Sequence, residues 1–97
     1  MLFTHNNVDF DIDEREISKD ECIKLFTPII DIAKKFVTIS EIVVESNDYA
    51  TIFVEGDSEG EYADNTIKYV DELSAYNIDL SLSDEDYGEL DAINIYF

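Results

Sequence analysis

The chain predicts an α+β fold, an antiparallel sheet with two helices on one of its faces. Two patterns and one boundary condition point to it. Several short stretches alternate apolar and polar residues, the period of a half-buried strand, and two longer ones repeat apolar residues at helical spacing. The 97 residues are 45% hydrophobic, enough for one core, and no repeat, linker or low-complexity segment divides them. A single domain spanning residues 1–97 follows.

The first clear strand is "VDFDID", residues 8–13, where Val8, Phe10 and Ile12 alternate with Asp9, Asp11 and Asp13. A short strand at 2–4 precedes it, with Asn6-Asn7 as the turn. Ser18 and Glu21 form a capping box that opens a helix. Its core stripe is Cys22, Phe26, Ile29, Ile30, Ala33, Phe36 and Val37. Pro28 interrupts that stripe, and either kinks the helix or starts a second segment with Thr27. Strands at 39–45 and 50–55 follow around the turn Ser46-Asn47-Asp48. One face of the pair carries Ile42, Val44, Ile52 and Val54. After the glycine-bearing loop "EGDSEGEY", a second helix covers 62–76. Its expected core face is Ala63, Ile67, Val70 and Leu73, and Asn77 is its expected left-handed stop. Ile78, Leu80 and Leu82 alternate with polar residues in a fifth strand. The loop "DEDYGELD" then leads to a last strand at 93–97, with Ile93, Ile95 and Phe97 on one side.

The clear elements run β-α-β-β-α-β-β. The first six match the ferredoxin-like β-α-β-β-α-β plait, with an additional C-terminal strand. In a plait both helices cover one sheet face and leave the other open. The open face would then carry Asp9, Asp11, Asp13, Glu41, Glu45, Glu55 and Asp79. Phe53 would point to the same face beside Val43, as an anchor for a partner or under a covering element.

Charge is the outlying property. There are 24 acidic residues against 6 basic ones, a net charge of −18. Five of the basic residues, Arg15, Lys19, Lys24, Lys34 and Lys35, fall in the first 35 positions. From 39 onward there are 16 acids and one base, Lys68. Such a chain repels nucleic acid and anionic membranes and attracts basic surfaces. Self-repulsion at this density opposes folding, which favours an interaction surface over a merely solvated one. Halophile adaptation is a rival source of acidity. The abundance of Ile, Asn and Tyr instead fits an AT-rich genome, that of a low-GC bacterium or its phage. No apolar span or signal sequence is visible, and the lone cysteine, Cys22, offers no internal disulfide, so a cytoplasmic location is expected.

No catalytic constellation is legible. His5, the only histidine, stands near the start with no nucleophile motif around it, and reads as a surface or turn residue. Cys22 reads as a small core residue. The D-x-D-x-D run from Asp9 departs from a calcium loop, with Glu14 where glycine is required and Asp20 where glutamate is required. Asp84, Asp86, Glu89 and Asp91 could bind a divalent ion weakly, but no metal site and no cofactor is assigned. Nucleotide-binding loops, cysteine knuckles and basic nucleic-acid patches are absent from the sequence. Tyr62, Tyr69 and Tyr76 recur every seven residues on the second helix. They either fringe the core or form a contact ridge.

Size, acidity, a compact α/β plan and missing catalytic motifs together resemble a class of proteins. These are the small acidic inhibitors that phages and mobile elements direct against host nucleic-acid enzymes, the anti-CRISPR and anti-restriction proteins of DNA-mimic type. The resemblance covers the whole chain and contains no diagnostic motif. It implies a non-enzymatic inhibitor that competes with DNA or RNA for a Lys/Arg-lined channel in the host cytoplasm. The expected partner-binding residues are Asp9, Asp11, Asp13, Glu41, Glu45, Phe53, Glu55 and Asp79, with Asp84, Asp86 and Glu89 from the acidic loop. The partner would be a basic protein surface, with no direct nucleic acid and no membrane, and the inhibitor a monomer or small homo-oligomer. Two other classes fit the same chemistry. One is an immunity protein that neutralises a basic nuclease toxin, the other a non-catalytic adaptor or oligomerisation subunit.

Overall fold

A computed structural model describes residues 1–55, 60–73, 76–81 and 92–97. Six strands form one sheet: β1 (Leu2–His5), β2 (Val8–Ile12), β3 (Ile39–Val44), β4 (Tyr49–Val54), β5 (Asn77–Ser81) and β6 (Ala92–Tyr96). Two helices, α1 (Lys19–Ala33) and α2 (Gly60–Glu72), complete the α+β architecture.

Local chemistry explains most of the element ends. Asn6 and Asn7 both take positive φ, 52° and 64°. That is the two-residue hairpin turn whose twist matches its strands, and asparagine tolerates it. The Ser18 hydroxyl accepts from the Glu21 amide at 3.2 Å and caps α1. The helix runs on through Pro28, so no second segment begins there. Pro28 is exposed, and Thr27 turns its hydroxyl back to the Ile23 carbonyl at 2.6 Å. The same hydroxyl lies 3.0 Å from His5 Nε2. Its proton is committed to Ile23, so it accepts, and His5 must carry hydrogen on Nε2. His5 therefore ties the end of β1 to α1.

The sheet order is β1-β2-β3-β4-β6-β5. Only β2 and β3 run parallel, joined through α1, and the other neighbouring pairs are antiparallel. The ferredoxin-like plait order is not the one observed. A plait would set β2 beside β4, whereas β2 lies beside β3. The final strand also does not extend an edge. It inserts between β4 and β5, which therefore run parallel to each other with α2 crossing over β6.

One hydrophobic core lies between the sheet and the helices. Phe10, Ile42, Ile52 and Ile93 stand in register across four strands, all fully buried. Phe26, Ile29 and Ile30 of α1 and Tyr69 of α2 belong to the same cluster, with Leu73 just past the end of α2. Each fully buried isoleucine contributes roughly 1.5–3 kcal/mol. The inward face of α2 differs from the sequence expectation. Thr66, Tyr69 and Leu73 are buried while Ile67 is 44% exposed. The helix is turned so that the large Tyr69 ring enters the core and its hydroxyl reaches the Ile29 carbonyl of α1. Asn77 does not end a helix in left-handed conformation but opens β5.

Candidate partner interface

Strand pairing builds the surface opposite the helices. Thr4, Asp9, Glu41, Phe53 and Ala92 form one row across β1, β2, β3, β4 and β6. Leu2, Asp11, Val43, Thr51 and Asn94 form the next. Tyr49 and Tyr96 pair in a third row, their rings stacked with centroids 5.7 Å apart. Adjacent strands are roughly 4.8 Å apart and same-face neighbours along a strand roughly 6.7 Å apart. Backbone spacing therefore holds Asp9, Asp11 and Glu41 at fixed positions, with Glu45 just beyond the end of β3.

A β-bulge shapes this face. The β3–β4 register shifts between Ile39 and Glu41, leaving Ser40 as the extra residue. Ile39 is thereby buried while Glu41 is turned to the open face. The Ser40 hydroxyl donates to the Phe53 carbonyl at 3.1 Å, fixing β4 at that point. A bulge beside a functional residue is a common way to aim it.

Beside the bulge lies a shallow depression of about 410 Å³. Val43 and Thr51 form its floor, Asp11, Glu41 and Glu45 its acidic side, and Tyr49 and Phe53 its aromatic side. Phe53 is 36% and Tyr96 41% exposed, unusual for rings on a surface this polar. The face is thus acidic toward β2 and β3 and aromatic toward β4 and β6.

The acids of this face are short of counter-ions. Among the described residues, the ion pairs are Arg15–Asp13 at 3.0 Å and Lys34–Asp31 at 3.7 Å. Neither involves Asp9, Asp11, Glu41 or Glu45. Asp9 instead accepts from the Thr4 hydroxyl at 2.9 Å. The lysines of α1 lie on the far side of the sheet. Lys19 sits over the Phe3 ring, 5.2 Å from its centroid.

The remaining sequence candidates are placed differently. Asp13 lies past the end of β2, lining a hollow with Asp11 and Glu45 at the edge of the acidic face, and its carboxylate accepts from the Arg15 guanidinium and backbone amide. Those bonds hold its carboxyl below the ordinary 3.8. Glu55 follows β4 and lines a separate hollow with Lys34 and Lys35. Asp79 is in register with Asn94 on β5, two strands from Phe53. Asp84, Asp86 and Glu89 lie outside the described residues, as does the divalent-ion possibility raised for their loop. The Tyr62–Tyr69–Tyr76 ridge is not a surface feature at its centre, because Tyr69 is fully buried and Tyr76 packs against the core. Tyr49 and Tyr96 are the open-face aromatics that sequence reasoning missed. Their signal was strand parity, since each sits one position out of step with the buried isoleucines of its strand.

Cys22 is buried, and burial pushes its thiol up to about 11, the opposite of an activated nucleophile. Among the described residues no three His, Cys, Asp or Glu side chains are arranged to hold a metal ion. No helix of the described residues is long and apolar enough to cross a membrane. Comparison with known proteins returns no match, since no family model, curated protein or solved structure is detectably similar to this chain.

Proposed function

We propose that the protein is a non-catalytic inhibitor that binds a basic, nucleic-acid-binding protein through its open sheet face and competes there with DNA or RNA. One observation carries this reading. Asp9, Asp11 and Glu41 on the sheet, with Glu45 just past the end of β3, stand together and among the described residues have no cation paired to them. A channel built to neutralise phosphates offers the complementary charge. Carboxylates held by regular strands meet it without a large ordering cost, and the field of a −18 chain speeds the encounter.

The helical side is a poorer candidate for the same role. The segment 19–35 carries four lysines against three acids, Asp20, Glu21 and Asp31. The α1 side is therefore nearly balanced in charge, whereas α2 carries Glu61, Asp64, Asp71 and Glu72 against Lys68, so the sheet face is favoured by its regular spacing of carboxylates rather than by being the one negative side.

The test is capture of partners from a bacterial lysate on immobilised protein, with duplex DNA added as competitor. The expected result is a basic nucleic-acid-binding protein, displaced by DNA. A folded variant carrying Asp9→Asn, Asp11→Asn, Glu41→Gln and Glu45→Gln should capture it on the order of tenfold more slowly. A partner that is not basic, or one held equally by the variant and in the presence of DNA, would overturn the reading.

A further inference from the structure

We infer that the depression beside the Ser40 bulge is a seat for an arginine side chain of the partner, with Phe53 as its stacking platform and Glu41 as its carboxylate. The inference rests on the acidic-face reading above and narrows it from a basic surface to one side-chain chemistry. Glu41 and Phe53 are directly opposed in the β3–β4 register. Directly opposed side chains in an antiparallel pair start roughly 4.5–5.5 Å apart. One group can therefore touch both a carboxylate and a ring, if it is cationic and planar. Guanidinium is that group. It is weakly hydrated, it stacks on aromatic faces, and it presents a fork of donors to a carboxylate. Lysine ammonium is a compact, strongly hydrated charge that gains the carboxylate but little from the ring.

The surroundings agree with this assignment. Val43 and Thr51 give the depression a floor suited to an aliphatic stem, and Tyr49 continues the aromatic wall beside Glu45. The Phe53 ring is exposed, and its backbone is fixed by the Ser40 hydroxyl. A purely electrostatic mimic of nucleic acid would need neither ring at the surface. Nor would a solvated face place two aromatic rings around its acids, since exposed aromatics beside charges mark binding surfaces.

The experiment uses the whole chain and two probe peptides of equal charge, nona-arginine and nona-lysine, near physiological salt. Affinities are read by tyrosine fluorescence, and the site by amide chemical-shift mapping. Nona-arginine should bind at least threefold more tightly, with shifts centred on residues 41, 43, 51 and 53. Phe53→Leu should bring the two affinities together, and Phe53→Trp should keep them apart. Glu41→Gln should weaken both peptides. Thermal melting of each variant establishes that it is folded. Equal affinities for the two peptides, a preference that survives Phe53→Leu, or shifts centred elsewhere would overturn the arginine seat. In the first two cases, binding still centred on this face leaves the acidic-face reading standing. If neither peptide binds the face even at low salt, that reading falls with it.

Discussion

The Tyr69 hydroxyl donates to the Ile29 carbonyl at 3.0 Å inside the core. A buried phenol without a partner would be costly, so this bond is what makes a tyrosine acceptable there. Tyr69→Phe keeps the ring and removes only the donor, and should cost about 1 kcal/mol. For a chain of this size that lowers the melting temperature by roughly 4–8 °C. An unchanged melt would mean the carbonyl is satisfied without it. Burial also raises the pKa of two groups, Cys22 to about 11 and Tyr69 well above its ordinary 10.0. Both are neutral when protonated, and the folded state holds their protons longer than the unfolded chain does. Their effect on stability is therefore constant below about pH 9 and grows unfavourable above it, as the unfolded thiol and then the unfolded phenol ionise. Urea midpoints measured from pH 7 to 11 should fall above pH 9. Cys22→Ala should flatten the first part of that fall, and Tyr69→Phe the part above pH 10.

At the scale of elements, legibility followed how local each cause is. The Asn6-Asn7 turn and the Ser18 cap could be read because each depends on residues within three positions of one another. The core face of α2 could be read only in part. Leu73 is buried and Val70 packs against the core as the apolar stripe of Ala63, Ile67, Val70 and Leu73 predicts, but the helix also turns Tyr69 and Thr66 inward and leaves Ile67 exposed. What decides this is a carbonyl on α1, forty residues away in sequence. The Ser40 bulge has a trace in the sequence. Ile39 and Ile42 are three apart in a strand and both buried, which strict alternation forbids. Pro28 was legible as a disturbance, but its outcome depended on packing. With α1 continuous and Pro28 exposed at position ten of fifteen, Pro28→Ala should return an amide to the Lys24 carbonyl. The expected gain is about 1–3 kcal/mol, seen as a higher urea midpoint. A loss would mean that the bend imposed by proline is what seats Phe26 and Ile29 on the sheet.

At the scale of the whole molecule, strand order is where sequence reasoning stopped. β3 and β4 both turn an apolar set inward, Ile42 and Val44 on one and Ile52 and Val54 on the other, so β2 could pair with either without exposing its core face. Nor does local alternation say that β6 inserts between β4 and β5. The acidic face survived that difference because it depends on parity rather than on order. Asp9, Asp11 and Glu41 face away from the helices whichever strand lies next to which, although their grouping beside Phe53 is a product of the observed order. That grouping has an energetic consequence. Like charges at backbone spacings of about 5–7 Å repel by somewhat under about 1 kcal/mol per pair in water before screening. With no cation among the described residues paired to them, Asp9, Asp11, Glu41 and Glu45 should lower stability most at low salt. Melting followed from about 10 mM to about 0.5 M sodium chloride should therefore rise. The Asp9→Asn, Asp11→Asn, Glu41→Gln, Glu45→Gln variant should melt higher than the natural chain at low salt and respond less to added salt, the two curves converging near the top of the range. A surface that gains stability when its charges are removed is one whose charges serve binding rather than folding. If the variant is no more stable at low salt and keeps the full salt response, the repulsion lies elsewhere on the chain, and these four carboxylates are not the concentrated charge that the inhibitor reading requires.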